Sequence, residues 1–482
     1  MAPISSTSRF APVFKAYDVR GTVPEQLDTA MFYAMGVGAA RYARESEGAE
    51  AFVIARDMRA SGVAFSKALA AGLISEGMDV VDAGLCSTDL LYFASGHLDR
   101  PGAMLTASHN PANYNGVKFC LSRAKPVGEE SGLAAIRKEA ELALGSAPPG
   151  GGVAGVEDAA GYRSIDLLPD FARHVHSFVD VTALRPLKVV ADTANGMGGL
   201  VAPKVFAGLP FGLEVLFGEL DGTFPNHPAD PIQPENLVDL RRRVLDSGAD
   251  VGLAFDGDAD RVFLVDDQAE PVSGSLTTAM VAAAMLGKSP GATILYNLIC
   301  SKAVPEVIAE RGGTAVRTRV GHSFVKAVMA DTGAVFGGEH SGHYYFADNW
   351  RADSGIIAAL VVLEMMSKEA QPLSQLRKPF ERYADSGEIN TKVNQPRQVI
   401  AAIEQEYAGA ARSTDHLDGL TVDFGGWWFN LRPSNTEPLL RLNLEADSSE
   451  ECAAHVDEVF GRVRALGGVD GPTKGNTDDN GS

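Results

Sequence analysis

Val251-Gly252-Leu253-Ala254-Phe255 runs directly into Asp256-Gly257-Asp258-Ala259-Asp260-Arg261. Five apolar residues followed by turn formers read as a buried strand. The next six place three carboxylates at alternate positions on a short loop, with a guanidinium at its end. Like charges packed this closely are costly unless a divalent cation neutralises them. A calcium EF-hand loop is the main rival, but Arg261 stands where that loop needs glycine and Asp267 where it needs glutamate, and the flanks read as strands. A solvated acidic turn stays open as the plain alternative. Three carboxylates with few other protein ligands suit magnesium completed by phosphate oxygens, and Arg261 offers that phosphate a planar fork. A strand delivering a ligand loop at its end is the habit of open α/β sheets.

The same grammar recurs on both sides of this loop. Gly102-Ala103-Met104-Leu105 reads as a strand end that breaks into Thr106-Ala107-Ser108-His109-Asn110-Pro111, then Asn115-Gly116-Val117-Lys118. Asn-Pro and Asn-Gly are turn signals, so Ser108 is expected on a loop, with His109 and Lys118 close in sequence. In isolation this stretch is better read as a turn whose hydroxyl and amide satisfy nearby backbone, and only the loops further along the chain overturn that. Gly337-Gly338-Glu339-His340-Ser341-Gly342-His343 is a third loop, in which Glu339 and Ser341 alternate and offer a carboxylate and a hydroxyl suited to vicinal sugar hydroxyls. Asn430-Leu431-Arg432-Pro433-Ser434-Asn435-Thr436-Glu437-Pro438 is a fourth. There Arg432, Ser434, Asn435 and Thr436 crowd onto one turn of a kind that cradles phosphate, with Arg441 on the outgoing strand. Two weaker stretches, Phe14–Gly21 with Tyr17 and Arg20, and Arg319–His322, each add a cation or base on a loop.

Between the loops the chain alternates strands and helices. Ala51–Ala55 reads as a strand feeding the loop Arg56–Gly62, Ala64–Ser75 as a helix, and Asp79–Ala83 as the next strand. Pro148–Gly152 reads as a linker. The expected organisation is three similar mixed α/β domains at residues 1–155, 164–268 and 269–372, followed by an antiparallel α+β domain at 373–466, all around a central cleft. Residues 467–482 read as a disordered tail. A length of 482 residues accommodates such a division.

Bulk properties exclude other classes. The net charge of −20 argues against nucleic-acid or anionic-membrane partners, so any anionic ligand needs a local arginine cluster. The four cysteines are scattered and form no CxxC pair, which favours reduced buried thiols. The longest apolar stretch, near Ala279–Leu286, falls far short of the ~20 residues of a membrane span. A cytoplasmic protein is expected.

Taken together, these loops resemble the α-D-phosphohexomutase superfamily, and the resemblance covers nearly the whole chain. Thr106–Pro111 is similar to its phosphoserine loop, Asp256–Arg261 to its magnesium loop, Gly338–His343 to its sugar loop and Arg432–Pro438 to its phosphate loop. With Phe14–Gly21, the last two loops place the resemblance in the phosphomannomutase/phosphoglucomutase branch. The resemblance implies a phosphoserine at Ser108, with Mg²⁺ between it and Asp256, Asp258 and Asp260. It also implies interconversion of hexose 6-phosphate and hexose 1-phosphate, of mannose and also of glucose, through a hexose 1,6-bisphosphate that also serves as activator. Arg20, Lys118, Arg261, His109 and His322 then fall around the reacting groups, and Tyr17, Glu339, Ser341, His343, Arg432, Ser434, Asn435, Thr436 and Arg441 around the substrate. In one departure, Asn297–Ser301 occupies a segment where some relatives carry a substrate-contacting lysine. Phosphoglucosamine mutase and a non-catalytic sugar-phosphate binder remain alternatives. The partners expected are hexose phosphates, and the assembly a monomer or homodimer.

Overall fold

A computed structural model describes residues 8–433, 439–467 and 473–474. Among them the chain forms four sheets of seven, five, four and six strands. In the first, Ala51–Arg56 lies parallel to Asp79–Leu85 and to Gly102–Leu105, while Tyr114–Leu121 runs antiparallel and carries Val19–Thr22 on its far edge. Helices Thr29–Glu47, Gly62–Ser75 and Ala134–Ala143 bury their apolar faces with residues of this sheet. The first of them is closed by Asp28, which accepts from Met31 N, and by Gly48 in the left-handed region that favours glycine at helix ends.

The second sheet pairs Val251–Phe255 in parallel with Lys188–Asp192 and antiparallel with Val262–Asp266. Phe255 stands opposite Val262, so Asp256–Arg261 is the connection of a hairpin within the sheet. The third sheet sets Phe336–Gly338 parallel to Thr293–Asn297 and antiparallel to Tyr344–Phe346, with the sugar-type loop between. The fourth is antiparallel throughout, covered by helices Pro396–Tyr407 and Ser449–Ala465. The expected class, mixed α/β domains plus an antiparallel α+β domain, is the one observed.

Two local expectations fail. Asn115–Gly116, read as a turn, lies inside strand Tyr114–Leu121. Its glycine serves close approach instead: a Cβ there would sit 2.0 Å from the Val19 carbonyl oxygen. Pro148–Gly152, read as a linker, is packed against the first helix, where a Cβ on Gly151 would meet Thr29 O at 2.6 Å. The first sheet continues past it to Tyr162–Ser164, paired with Asp79–Leu85. The tail reading of 467–482 falls largely outside the described residues.

One apolar cluster runs through the first three sheets, from Met104 through Phe255 to Ile294, and includes most of helix Gly355–Glu369. The fourth sheet has its own core around Phe429 and Leu442. Polar contacts attach it to the third domain: Lys302 Nζ meets Asp423 at 2.8 Å, Lys302 N donates to Glu445 at 2.9 Å, and Val320 N donates to Asp418 at 3.4 Å.

Candidate active site

Strand Gly102–Leu105 ends at the carboxyl edge of the first sheet and releases Ser108 into a buried position, 3% exposed. Its φ of 50° is left-handed, a conformation that costs a non-glycine residue about 1–2 kcal/mol. Ser108 N donates to Thr106 Oγ1 at 2.8 Å, and Ser108 Oγ donates to Asp256 Oδ2 at 2.7 Å. The serine therefore crosses from the first domain to the acidic hairpin of the second. Gly257 makes the approach feasible, because a Cβ there would lie 2.4 Å from Ser108 O.

Asp256, Asp258 and Asp260 are all buried, and one carboxylate oxygen of each lies within 4.8 Å of the others. Lys118, delivered by strand Tyr114–Leu121, donates at 2.8 Å to Asp258 and to Asp260; Arg261 donates to Asp256 at 2.9 Å. Three carboxylates thus face two contacting cations. Burial raises the Asp256 pKa against Arg261's opposing pull, with Asp258 and Asp260 adding to the rise, while Lys118 holds Asp258 ionised against its own burial. Asp258 Oδ1 and Asp260 Oδ1 are buried and have no hydrogen-bond partner. Orphaned acceptors on a cluster short of positive charge are what a divalent cation satisfies. The residues fit a hard ion such as Mg²⁺.

Two arginines and two histidines complete this end. Arg261 Nη2 lies 3.4 Å from Ser108 Oγ and 2.6 Å from His109 Nδ1. That lone pair is engaged, and burial together with Arg261 pushes the His109 pKa far down. Arg20 is braced by Asp18 at 2.8 Å and reaches Asn110 Oδ1 at 2.7 Å, binding the serine loop from its other side. His322 opens helix His322–Thr332, stacks edge-on against Tyr17 with centroids 5.4 Å apart, and leaves Nδ1 unpartnered. Burial and Lys326 keep it neutral.

The third-domain loop brings Glu339 to the same cleft, buried and ordered by Tyr345 OH, Asn297 Nδ2 at 3.1 Å and Gly321 N at 3.2 Å. Asn297, at the departure from the family pattern, is thus a support for Glu339. Ser341 Oγ lies 3.0 Å from His343 Nδ1, and His343 Nε2 is 3.8 Å from Asp260. In the fourth domain, Arg432 and Arg441 both pair with Glu388. Ser434, Asn435 and Thr436 lie outside the described residues. A cavity of about 1120 Å³ joins Tyr17 and Gly321 to Arg319, Arg432 and Arg441.

Sequence reading passed over several partners. Arg59 gathers the serine loop from behind, Thr88 Oγ1 donates to Asp258 Oδ2 at 2.6 Å, and Glu388 holds the two fourth-domain arginines. Only for Arg59 was there a signal, its place on a loop at a strand end.

Comparison with known proteins agrees with this arrangement. Sequence models of Phosphoglucomutase/phosphomannomutase alpha/beta/alpha domains I, II and III match residues 11–143, 169–269 and 273–383, and that of the C-terminal domain matches 388–462. The chain is 38% identical to "Phosphohexose mutases" of Xanthomonas campestris pv. campestris, over 90% of this chain and 95% of the relative. It is equally similar to a phosphomannomutase of Salmonella montevideo, 38% identical over 90% and 94%. The chain belongs to the phosphoglucomutase/phosphomannomutase family. A crystal structure of a family member from Burkholderia thailandensis superposes with a TM-score of 0.83 at 30% identity, covering 95% of this chain and 98% of that one. As a member of the phosphoglucomutase/phosphomannomutase family the chain is an isomerase, a hexose-phosphate mutase. Among the described residues no helix is long and apolar enough to cross a membrane.

Proposed function

We propose that this mutase interconverts the 6- and 1-phosphates of mannose, and of glucose with it, through a phosphoserine at Ser108 and a hexose 1,6-bisphosphate, in the cytoplasm. The observation that carries this reading is Ser108 Oγ set 2.7 Å from Asp256 and 3.4 Å from Arg261. A mere binder of sugar phosphates has no use for a nucleophile buried against a metal-type cluster.

In the first half-reaction a hexose hydroxyl oxygen bonds to the phosphorus as the bond to Ser108 Oγ breaks. The hydroxyl proton leaves the sugar and Oγ is reprotonated; the second half-reaction reverses these roles with the other phosphate. His322, neutral and with a free nitrogen, is equipped to accept that proton. Arg261 and Lys118 supply fixed positive charge at the transfer end. Mg²⁺ held by Asp256, Asp258 and Asp260 would neutralise charge on the phosphoryl oxygens. Arg432 and Arg441, with Ser434, Asn435 and Thr436, hold the phosphate that is not reacting, which orients the sugar. Because the bisphosphate binds both ways round, Glu339 and Ser341 serve best by reading hydroxyls similarly placed in both orientations. Glucose and mannose differ only at C2, so such a reader accepts both.

The test is Ser108→Ala assayed with mannose 1-phosphate and catalytic glucose 1,6-bisphosphate, beside glucose and glucosamine phosphates. Turnover should fall by about a thousandfold or more, and intact mass should show a phosphoryl group on wild type alone. Wild-type-like turnover in the variant would sink the reading.

A further inference from the structure

Arg59, which gathers the serine loop from behind, is among the largest fully buried side chains, 1% exposed. It leaves strand Ala51–Arg56 on the loop beside the serine loop. All five of its N–H donors are used. Nη1 donates to Pro111 O at 2.7 Å and Tyr114 O at 2.9 Å; Nη2 donates to Ser108 O at 2.9 Å and Asn110 O at 2.6 Å; Nε donates to Asp57 Oδ2 at 3.2 Å. Four backbone carbonyls spread over residues 108–114 thus converge on one planar cation.

We propose that Arg59 is a positioning residue for the nucleophile, a clamp that fixes the left-handed turn at Ser108 through the carbonyls of its loop. The inference rests on the reading of Ser108 as the phosphate carrier. Both peptide groups of Ser108 are held, directly or through one intermediary. Asp57, buried beneath the guanidinium, accepts from Arg59 N at 2.9 Å and is hydrogen-bonded by Thr106, the same threonine that accepts from Ser108 N. Arg59 therefore holds the carbonyl of Ser108 while its partner carboxylate, through Thr106, holds the amide. The second domain presses on the clamp: the guanidinium lies 5.2 Å over the ring of Phe224, and a Cβ on Gly222 would meet Arg59 Cα at 2.7 Å. A lysine carries three donors on a point charge and cannot satisfy four carbonyls fanned around a plane. The hydrogen bonds of Arg59 go to the serine loop and Asp57 and to none of Glu339, Ser341, Arg432 or Arg441, so its loss should strike kcat and leave substrate affinity alone.

The experiment compares wild type, Arg59→Lys, Arg59→Ala and Ser108→Ala. Arg59→Lys should lose about 100-fold in kcat, the scale of a small displacement of a reacting group, with KM for hexose phosphate and the Mg²⁺ activation midpoint within about threefold. Added guanidinium should restore Arg59→Ala at least tenfold where methylammonium does not. Kcat within about twofold of wild type in Arg59→Lys, or no guanidinium rescue, overturns the clamp while an inactive Ser108→Ala leaves the functional reading standing. An active Ser108→Ala removes the reading itself. Should the arginine variants not fold, hydrogen exchange of the wild type decides. Amides of 107–116 should be as protected as strand Gly102–Leu105, and rapid exchange of that loop overturns the clamp.

Discussion

The Lys118 ammonium reaches from the first domain to within 2.8 Å of Asp258 in the second, and there it stands in for part of the charge that the carboxylate cluster lacks. It holds Asp258 ionised well below its ordinary range. In Lys118→Met that support is gone, the buried Asp258 carboxyl titrates higher, and protons compete with metal at mildly acidic pH. Mg²⁺ protection against thermal unfolding should then weaken steeply between about pH 7 and 5, while wild type stays nearly flat. A flat profile in the variant contradicts this role.

Chelation gives a simpler readout of the same cluster. Exhaustive EDTA treatment should abolish turnover, and Mg²⁺ should restore it. Asp258→Asn, which neutralises one ligand, should require at least tenfold more Mg²⁺ for half-maximal activity, a weakening typical of losing one ligating charge. Full activity after chelation would dismiss the metal.

Neither His109 nor His322 should be an imidazolium at pH 6. Burial, with Arg261 beside one and Lys326 beside the other, holds both far below the ordinary histidine value. Nitrogen-15 spectra of histidine-labelled protein should show both rings neutral there, and a protonated ring at either position would contradict the geometry.

Asp89 joins the first and third domains, accepting from Ser354 Oγ at 2.6 Å. Burial raises its carboxyl to about 7 against the effect of its serine partners. A carboxyl raised on folding favours the folded state below its unfolded pKa of ~4, and that contribution is lost as pH rises towards the folded value. Asp89→Asn removes the titration. The difference in melting temperature, variant minus wild type, should therefore grow from pH 4.5 to pH 8. A constant difference would show that Asp89 does not titrate in this window.

Glu388 offers a different test, because it occupies both Arg432 and Arg441 at the end proposed to bind phosphate. A substrate phosphate arriving there meets guanidiniums already neutralised in part. Glu388→Gln keeps an acceptor and removes the charge, so inorganic phosphate should bind several-fold more tightly, about 1 kcal/mol for charges several ångströms apart. Calorimetric titration decides, and weaker binding would mean that the carboxylate's service in ordering the arginines outweighs its repulsion.

Much of this site was legible because phosphoryl transfer concentrates charge on short loops at strand ends. Asp256–Arg261 announces itself through unbalanced carboxylates, and Val251–Phe255 through an unbroken apolar run. Contacts between distant segments were not legible. Arg59, Thr88 and Glu388 act on residues about 50, 170 and 44 positions away, and no local pattern encodes such meetings. Asn115–Gly116 misled for a related reason: glycine signals both turns and close backbone approach, and only the neighbouring strand Val19–Thr22 decides between them.

The partition of the apolar cores bears on how a bisphosphate could turn over without escaping. One apolar cluster common to the first three sheets, beside the core that each keeps for itself, ties together the domains that carry Ser108, the acidic hairpin and Glu339. Polar contacts, by contrast, exchange readily with water. Lys302 and Val320 contribute such polar contacts to the seam with the fourth sheet. Under the function proposed above, give in the cleft is expected at the end that would grip the spectator phosphate, where letting go for a moment would do the chemistry no harm.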